Sequence, residues 1–276
     1  RNQLIYFENE ENNYSSNEFL FDFELIYKNN LNTKHKINLN YHQIKIDNEI
    51  SILNPNYIIS QDENSSKDYF YKISYQYILE KRNNNIYPNK GHYLDFEIGK
   101  NFSPNINHIE FNSHVEKHFS LNKSLFFGSS LKTRITNSSQ QAYYSAQTLG
   151  FDDYVRGYEF YVIDGEDFYL SKTAIKYAII KNKKYDLPYL NIKQFKKSHF
   201  SIYATIFSDF GYAKNNTEFI NNSLTNTMLW GRGFSLDYVT YYDKLLRIEF
   251  SINELGEKGV FLHFSNPFGE TNKKWK

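Results

Sequence analysis

Apolar and polar residues alternate one by one along segment after segment of this chain. Between Glu18 and Tyr27, five large apolar residues fall on one face of an extended chain, while Asp22 and Glu24 fall on the other. This period of two is typical of β-strands with one apolar and one polar face. The clearest examples are Glu18–Tyr27, Tyr69–Tyr77, His92–Gly99, Ile109–His118 and Leu246–Asn253. The alternation therefore predicts an all-β fold.

Weaker alternation predicts further strands, and their number and length narrow the fold class. They are Lys36–Ile46, Lys123–Ile135, Phe168–Ile180, Ser198–Tyr212, Thr225–Thr240 and Gly259–Phe268, with a partial strand at Leu4–Phe7. The total is about eleven or twelve strands, many of them reaching the ~9–11 residues that cross a membrane. Strands of soluble sandwiches are commonly shorter, at about 5–6 residues.

Composition excludes several other classes of protein. With 32 Lys+Arg against 31 Asp+Glu, the net charge of +1 gives no global field that would attract nucleic acid. The absence of cysteine excludes disulfides, thiol catalysis and cysteine-based zinc sites. A mean hydropathy of -0.66 is polar, but a transmembrane barrel is apolar only at every second residue of its strands. The polar average therefore leaves that class open.

The size of the predicted sheet separates a membrane barrel from a soluble one. Side chains could not fill the interior of a barrel closed by so many long strands, whereas a wet, polar lumen needs no such filling. Tyrosine is also common at the predicted strand ends, as at Tyr69 and Tyr93, where a membrane barrel carries an aromatic girdle. We therefore expect an antiparallel transmembrane β-barrel spanning residues 1–276, with a soluble β fold as the alternative.

One connection, residues 137–166, is long and lacks sustained alternation. A loop of this length in a compact β protein is usually functional or disordered, and its aromatic content argues against disorder. Its core, Gly150–Tyr158 followed by Ile163–Gly165, resembles the long-loop signature of the bacterial surface antigen superfamily, which includes outer-membrane β-barrel assembly factors. The family's motif matches Val155, Arg156, Gly157 and Tyr158. Similar segments are 87–91, 207–212, 231–237 and 246–250, and the resemblance is strongest from Leu149 to Phe268.

The resemblance implies a specific architecture. The family barrel has sixteen strands, so about twelve would be present here, without the first strands and the periplasmic POTRA domains. The long loop would fold into the lumen, where Arg156 would contact Asp209 beside Gly211. A second acidic partner would stand on the next strand, where Lys172 and Lys176 are found instead. The last strand would form a lateral seam through Val260, Leu262, Phe264 and Phe268.

The implied function is insertion and folding of β-barrel proteins in the cell outer membrane. The expected partners are outer-membrane lipids, unfolded outer-membrane β-barrel proteins and accessory subunits of an assembly complex, and not nucleic acid. Alternatives are a two-partner-type protein translocation barrel of the same superfamily and a passive porin- or adhesin-like barrel.

No enzymatic site is evident in the sequence. His114, Glu116 and His118 would share one strand face, which favours a polar ladder lining the lumen over a metal site. We expect no cofactor, no metal and no enzyme activity.

Overall fold

The computed structural model describes residues 16–47, 57–58, 67–104, 106–138, 142, 146–186, 197–216, 222–240 and 244–269. Eleven strands form one antiparallel sheet in the order β1-β2-β3-β4-β5-β6-β9-β10-β11-β12-β13, and β7 pairs with β8 in a small second sheet. The strands are β1 (Ser16–Asn30), β2 (Thr33–Ile46), β3 (Lys67–Glu80), β4 (Gly91–Phe102), β5 (Asn107–Ser120), β6 (Leu125–Thr136), β7 (Gln147–Leu149), β8 (Ile163–Asp164), β9 (Asp167–Asp186), β10 (Lys197–Lys214), β11 (Met228–Thr240), β12 (Leu245–Asn253) and β13 (Lys258–His263).

The prediction of an all-β antiparallel fold is confirmed. The alternation locates all eleven strands of the large sheet, although most of them, including β1, β3, β9 and β10, extend further than it indicates. The partial strand predicted at Leu4–Phe7 lies outside the described residues. Among the residues that the structure describes, no helix has the length and apolarity that crossing a membrane requires.

The last strand ends earlier than predicted. It stops at His263, so Phe264 and Phe268 lie beyond it, whereas the sequence prediction extended the strand to Phe268. The cause is local: Pro267 has no N–H to donate to a ladder, and the side chain of Asn266 accepts the N–H of Phe268 in a turn. Tyr93 also departs from expectation, because it lies inside the sheet's concave face and not in an outer girdle.

The two faces of the sheet are inverted relative to those of a soluble protein. On β12, Ile248 is exposed while its neighbours Arg247 and Glu249 are fully buried. On β5, Ile109 and Phe111 are exposed, and the alternating His, Glu and Asn side chains are buried. An apolar outer face and a charged inner face are the arrangement of a barrel with lipid outside and a polar lumen inside.

The sheet curves around that polar face without closing. A hydrogen bond joins Tyr87, in the turn between β3 and β4, to Asp237 on β11, although four strands lie between β4 and β11 in the sheet. In the described part of the chain, β1 and β13 each pair with one neighbour only, so each leaves a free edge. We call the enclosed space the lumen.

The strands that flank the long connection, β6 and β9, are hydrogen-bonded neighbours. Residues 137–166 therefore leave and rejoin the sheet at one place, at the end of the barrel opposite the β3–β4 turn. Within the connection, β7 and β8 form a short hairpin. Its described residues pack on the inner face of the sheet, where Leu149, Val155, Tyr158 and Ile163 join Phe168, Leu170, Ala213, Leu224 and Leu229 in an apolar cluster.

Candidate functional site in the lumen

The centre of the site is the pairing of Arg156 with Asp209. The guanidinium donates from Nε to Asp209 Oδ2 at 2.7 Å and from NH2 to Oδ1 at 2.5 Å, and the backbone N–H of Arg156 donates to Oδ2 at 3.3 Å. Both side chains are buried, and the guanidinium lies 3.7 Å from the centre of the Phe207 ring. Two parallel charge-assisted bonds fix orientation as well as distance. The structure thus brings together the two residues that the sequence predicted as partners.

Glycines make room for the loop against the wall. A β-carbon on Gly211 would lie 2.3 Å from Cγ2 of Val155, and one on Gly231 would lie 1.7 Å from the carbonyl oxygen of Arg156. Asp209 and Gly211, two residues apart on the same face of β10, therefore both hold the loop: the aspartate binds Arg156, and the glycine leaves room for Val155. Gly231 has the same role on the neighbouring strand, β11.

Gly157 and Tyr158 complete the motif. Gly157 has a φ of +92°, a conformation that glycine adopts without the strain that a side chain would bring. Its carbonyl oxygen accepts a hydrogen bond from Asn253 Nδ2 at 3.0 Å, and the Tyr158 hydroxyl accepts one from the N–H of Glu254 at 3.3 Å. The motif thus spans from β10 to the end of β12.

Charged groups also hold the loop before the motif. Lys132 on β6 pairs with Asp153, and both side chains are buried. Burial alone would raise the pKa of Asp153, but the Lys132 ammonium holds it below its usual value. Asp153 therefore stays ionised and ties the loop to β6, two strands away from Asp209 on β10.

The second acidic residue near Arg156 is Glu249 on β12. One of its oxygens, Oε2, lies 4.0 Å from NH1 of Arg156 and 4.0 Å from NH1 of Arg247. The resemblance implied such a partner on the strand after the loop, where the sequence has Lys172 and Lys176 instead. These two lysines donate to the carbonyl oxygens of Pro267 and Pro88. The alternation did place Glu249 on the polar face, but only the curvature of the sheet brings it to Arg156.

A second charge cluster, which the sequence did not suggest, lies beside the first. Arg247 donates from Nε to Asp237 Oδ1 at 2.7 Å and from NH2 to Oδ2 at 2.8 Å. Asp237 also accepts hydrogen bonds from the Tyr87 hydroxyl at 2.6 Å and from Thr205 at 2.8 Å. With the hydroxyl of Ser235 at 2.9 Å, five hydrogen bonds converge on this one buried carboxylate and fix its position.

Only one group of carboxylates and histidines among the described residues has the spacing of a metal site. It consists of Glu159, Glu249 and His263, with ligand atoms within 4.8 Å of one another. Glu249 already faces two guanidinium groups, so a cation there would meet two fixed positive charges. The ladder of His114, Glu116 and His118 is instead an ion-paired network, in which Glu116 Oε2 lies 2.9 Å from both Arg82 and His118.

The predicted seam residues do not join this site as a group. Val260 and Leu262 are exposed on the outer face of β13, as lipid-facing residues of a final strand would be, and Phe264, just beyond the strand, is exposed as well. Phe268 is 2% exposed and lies in the lumen, where its ring contacts His118 and Lys176. The aromatic residue near the chain's end is therefore an interior residue and not part of an outer edge.

Comparison with known proteins agrees with this geometry. The Omp85 superfamily domain matches residues 2–252. In fold, the chain is similar to BamA from Haemophilus ducreyi lacking POTRA domains 1–3, with a TM-score of 0.59 and 12% identity over 90% of this chain and 53% of that one. It thus spans about half of that structure, and no curated protein matches its sequence. The open antiparallel sheet with its inverted faces is the wall of a transmembrane β-barrel, and the chain belongs to the Omp85 superfamily.

Proposed function

We propose that this protein resides in the cell outer membrane and assembles other β-barrel proteins into it. The observation that carries the proposal is the bidentate Arg156–Asp209 pair, which seats the long loop against β10 to β12. The pair thereby fixes the strands next to β13, and the outer edge of β13 has no strand partner among the described residues. A free edge next to strands held in place is suited to the addition of another strand.

The proposed mechanism uses the free edge as a template. An edge strand presents unpaired N–H and C=O groups, and an incoming strand can satisfy them by hydrogen bonding along its length. Val260 and Leu262 on β13 face outward, so a strand added there would meet lipid with its own apolar face. The partners are therefore outer-membrane lipids and unfolded outer-membrane β-barrel proteins, together with accessory assembly subunits.

An assembly assay tests the proposal. The full-length protein is reconstituted in vesicles, an unfolded outer-membrane barrel protein is added, and its folding is followed by protease resistance and heat-modifiable gel mobility. We expect faster folding than in empty vesicles, and slower folding with Arg156→Ala. The matched control is Arg232→Ala, because Arg232 is exposed on the outer face of β11, where its guanidinium lies 4.0 Å from the Trp230 ring.

Three results would contradict the proposal in different ways. Release of the added protein into the vesicle interior would indicate a translocation barrel of the same superfamily. No acceleration at all, from a protein that has entered the vesicles, would indicate a passive barrel. A protein that stays monomeric in aqueous solution without detergent would overturn the membrane location itself.

A further inference from the structure

A second segment enters the lumen from the end opposite the long loop. Residues 81–90, which we call the inner turn, connect β3 to β4 and reach the facing wall of β9 to β12. Its backbone hydrogen bonds run to its own base, from Lys81 to His92 and from Asn83 to Lys90. Its central residues, Tyr87 and Pro88, are buried although they belong to a connection between strands.

The hydroxyl of Tyr87 is the polar anchor of the inner turn. It donates to Asp237 on β11 at 2.6 Å, and Asp237 is itself fixed by both arms of Arg247. Burial and the Asp237 carboxylate raise the pKa of the Tyr87 hydroxyl, so the group remains a donor. The inner turn is therefore tied to two strands on the far side of the lumen.

Lys176 on β9 is the second anchor. Its ammonium donates to the carbonyl oxygen of Pro88 at 2.7 Å and lies 4.2 Å from the centre of the Tyr87 ring. The side chain is 1% exposed and forms no ion pair among the described residues. A buried polar group is costly without a hydrogen-bond partner, so release of the inner turn would leave the Lys176 side chain without its carbonyl acceptor.

Apolar packing fills the space around these anchors. The rings of Tyr87 and Tyr203 are 4.7 Å apart, and both pack with Phe126, Ala178 and Leu245 from three strands. The side chain of Asn89 donates to the Tyr203 hydroxyl at 3.2 Å. The contacts of the inner turn thus extend from β6 to β12 at this end of the lumen.

We propose that the inner turn is a second seal of the lumen, anchored on other residues than the long loop and in series with it. Arg156 binds Asp209 on β10, whereas the inner turn is held by Asp237 on β11 and by Lys176 on β9. Unseating the long loop alone would therefore leave the lumen closed at the opposite end. Passage of a molecule through the lumen would require both segments to move. The outer edge of the sheet would remain accessible to an incoming strand while both segments stay in place.

Thiol labelling of the full-length protein in detergent tests the seal without depending on membrane location or on the assembly role proposed above. Because the chain has no cysteine, Ser130→Cys on the inner face of β6 would be its sole thiol in this part of the protein. Tyr87→Phe removes one hydroxyl and should raise the labelling rate about tenfold, since a hydrogen bond to a charged group is lost. The matched control is Tyr93→Phe, which removes a buried hydroxyl that binds Asp95 on its own strand.

An unchanged labelling rate in Tyr87→Phe, or an equal rise in Tyr93→Phe, would overturn the proposal. Conductance across planar bilayers then tests the arrangement in series. We expect Arg156→Ala and Tyr87→Ala to stay closed singly and the double variant to conduct severalfold more. Full conductance in Arg156→Ala alone would show that the inner turn seals nothing.

Discussion

The carbonyl oxygen of Arg156 occupies the place where a side chain on Gly231 would begin. A β-carbon at position 231 would lie 1.7 Å from that oxygen, so the loop and the wall approach each other as closely as a glycine allows. The Arg156–Asp209 pair and this backbone contact therefore depend on each other, because the guanidinium reaches its partner only when the loop backbone lies against β11.

Gly231→Ala should displace the long loop by steric clash alone, because the substitution deletes none of the polar groups that bind the loop. The neighbouring atom is backbone and cannot rotate away, so we expect a cost of about 1–3 kcal/mol or more in loop seating. Labelling of a Val155→Cys thiol should rise accordingly. Gly99→Ala is the matched control, because its β-carbon would meet side chains, the nearest being Lys72 Cε at 3.1 Å. Equal labelling in the two variants would refute the steric argument.

Arg156→Lys should destabilise the folded protein almost as much as Arg156→Ala. Lysine keeps the charge but cannot make the two parallel bonds that Nε and NH2 make to Asp209, and the buried carboxylate would lose part of its compensation. Breaking a buried pair costs about 3–5 kcal/mol, so the temperature at which the folded gel band disappears should fall by several degrees. A lysine variant that matches the wild type would show that charge alone seats the loop.

Much of this site could be predicted from the sequence because its parts are local patterns. Alternation assigned the faces of the strands, and the motif around Arg156 together with Asp209 and Gly211 identified one pairing across the lumen. The inverted faces were also predictable, since a charged face can be buried on so large a sheet only around a wet interior.

The rest depended on curvature and register, which alternation does not determine. Glu249 and Asp237 were ordinary polar positions in the pattern, and their partners became visible only when the sheet brought distant strands together. The position of Phe268 was missed for another reason. Its spacing fits the strand pattern, but Pro267 and Asn266 end the ladder before it.

Acidic pH should tighten the loop through Glu159. Burial raises the pKa of this carboxyl to about 7, and Glu249, Lys172 and His263 are the charged or titratable groups around it. In the unfolded chain the carboxyl ionises at its ordinary pKa, whereas in the folded protein it holds its proton up to about 7. The free energy of unfolding therefore falls as pH rises from the ordinary pKa of a glutamate to about 7.

Heat-modifiable mobility measured at pH 5 and pH 8 checks this expectation. The melting temperature of the folded band should be higher at pH 5, and Glu159→Gln should remove most of the difference. Glu254→Gln, at an exposed turn position, is the control and should leave it intact. A melting temperature that rises with pH in the wild type would reverse the sign and exclude Glu159 as the cause.

A lysine placed on the outer face distinguishes a lipid-facing surface from a water-facing one. Ile248 is 50% exposed in the middle of β12, and Leu255 is 55% exposed in the turn after it. If the outer face meets lipid, Ile248→Lys should lower the free energy of unfolding by about 2–4 kcal/mol, and the same change at the membrane boundary should lower it far less. Ile248→Lys should therefore reduce the folded, membrane-inserted fraction, and Leu255→Lys should not. Equal tolerance of both substitutions is the result expected for a surface in water, and it would contradict the barrel's proposed place in the membrane.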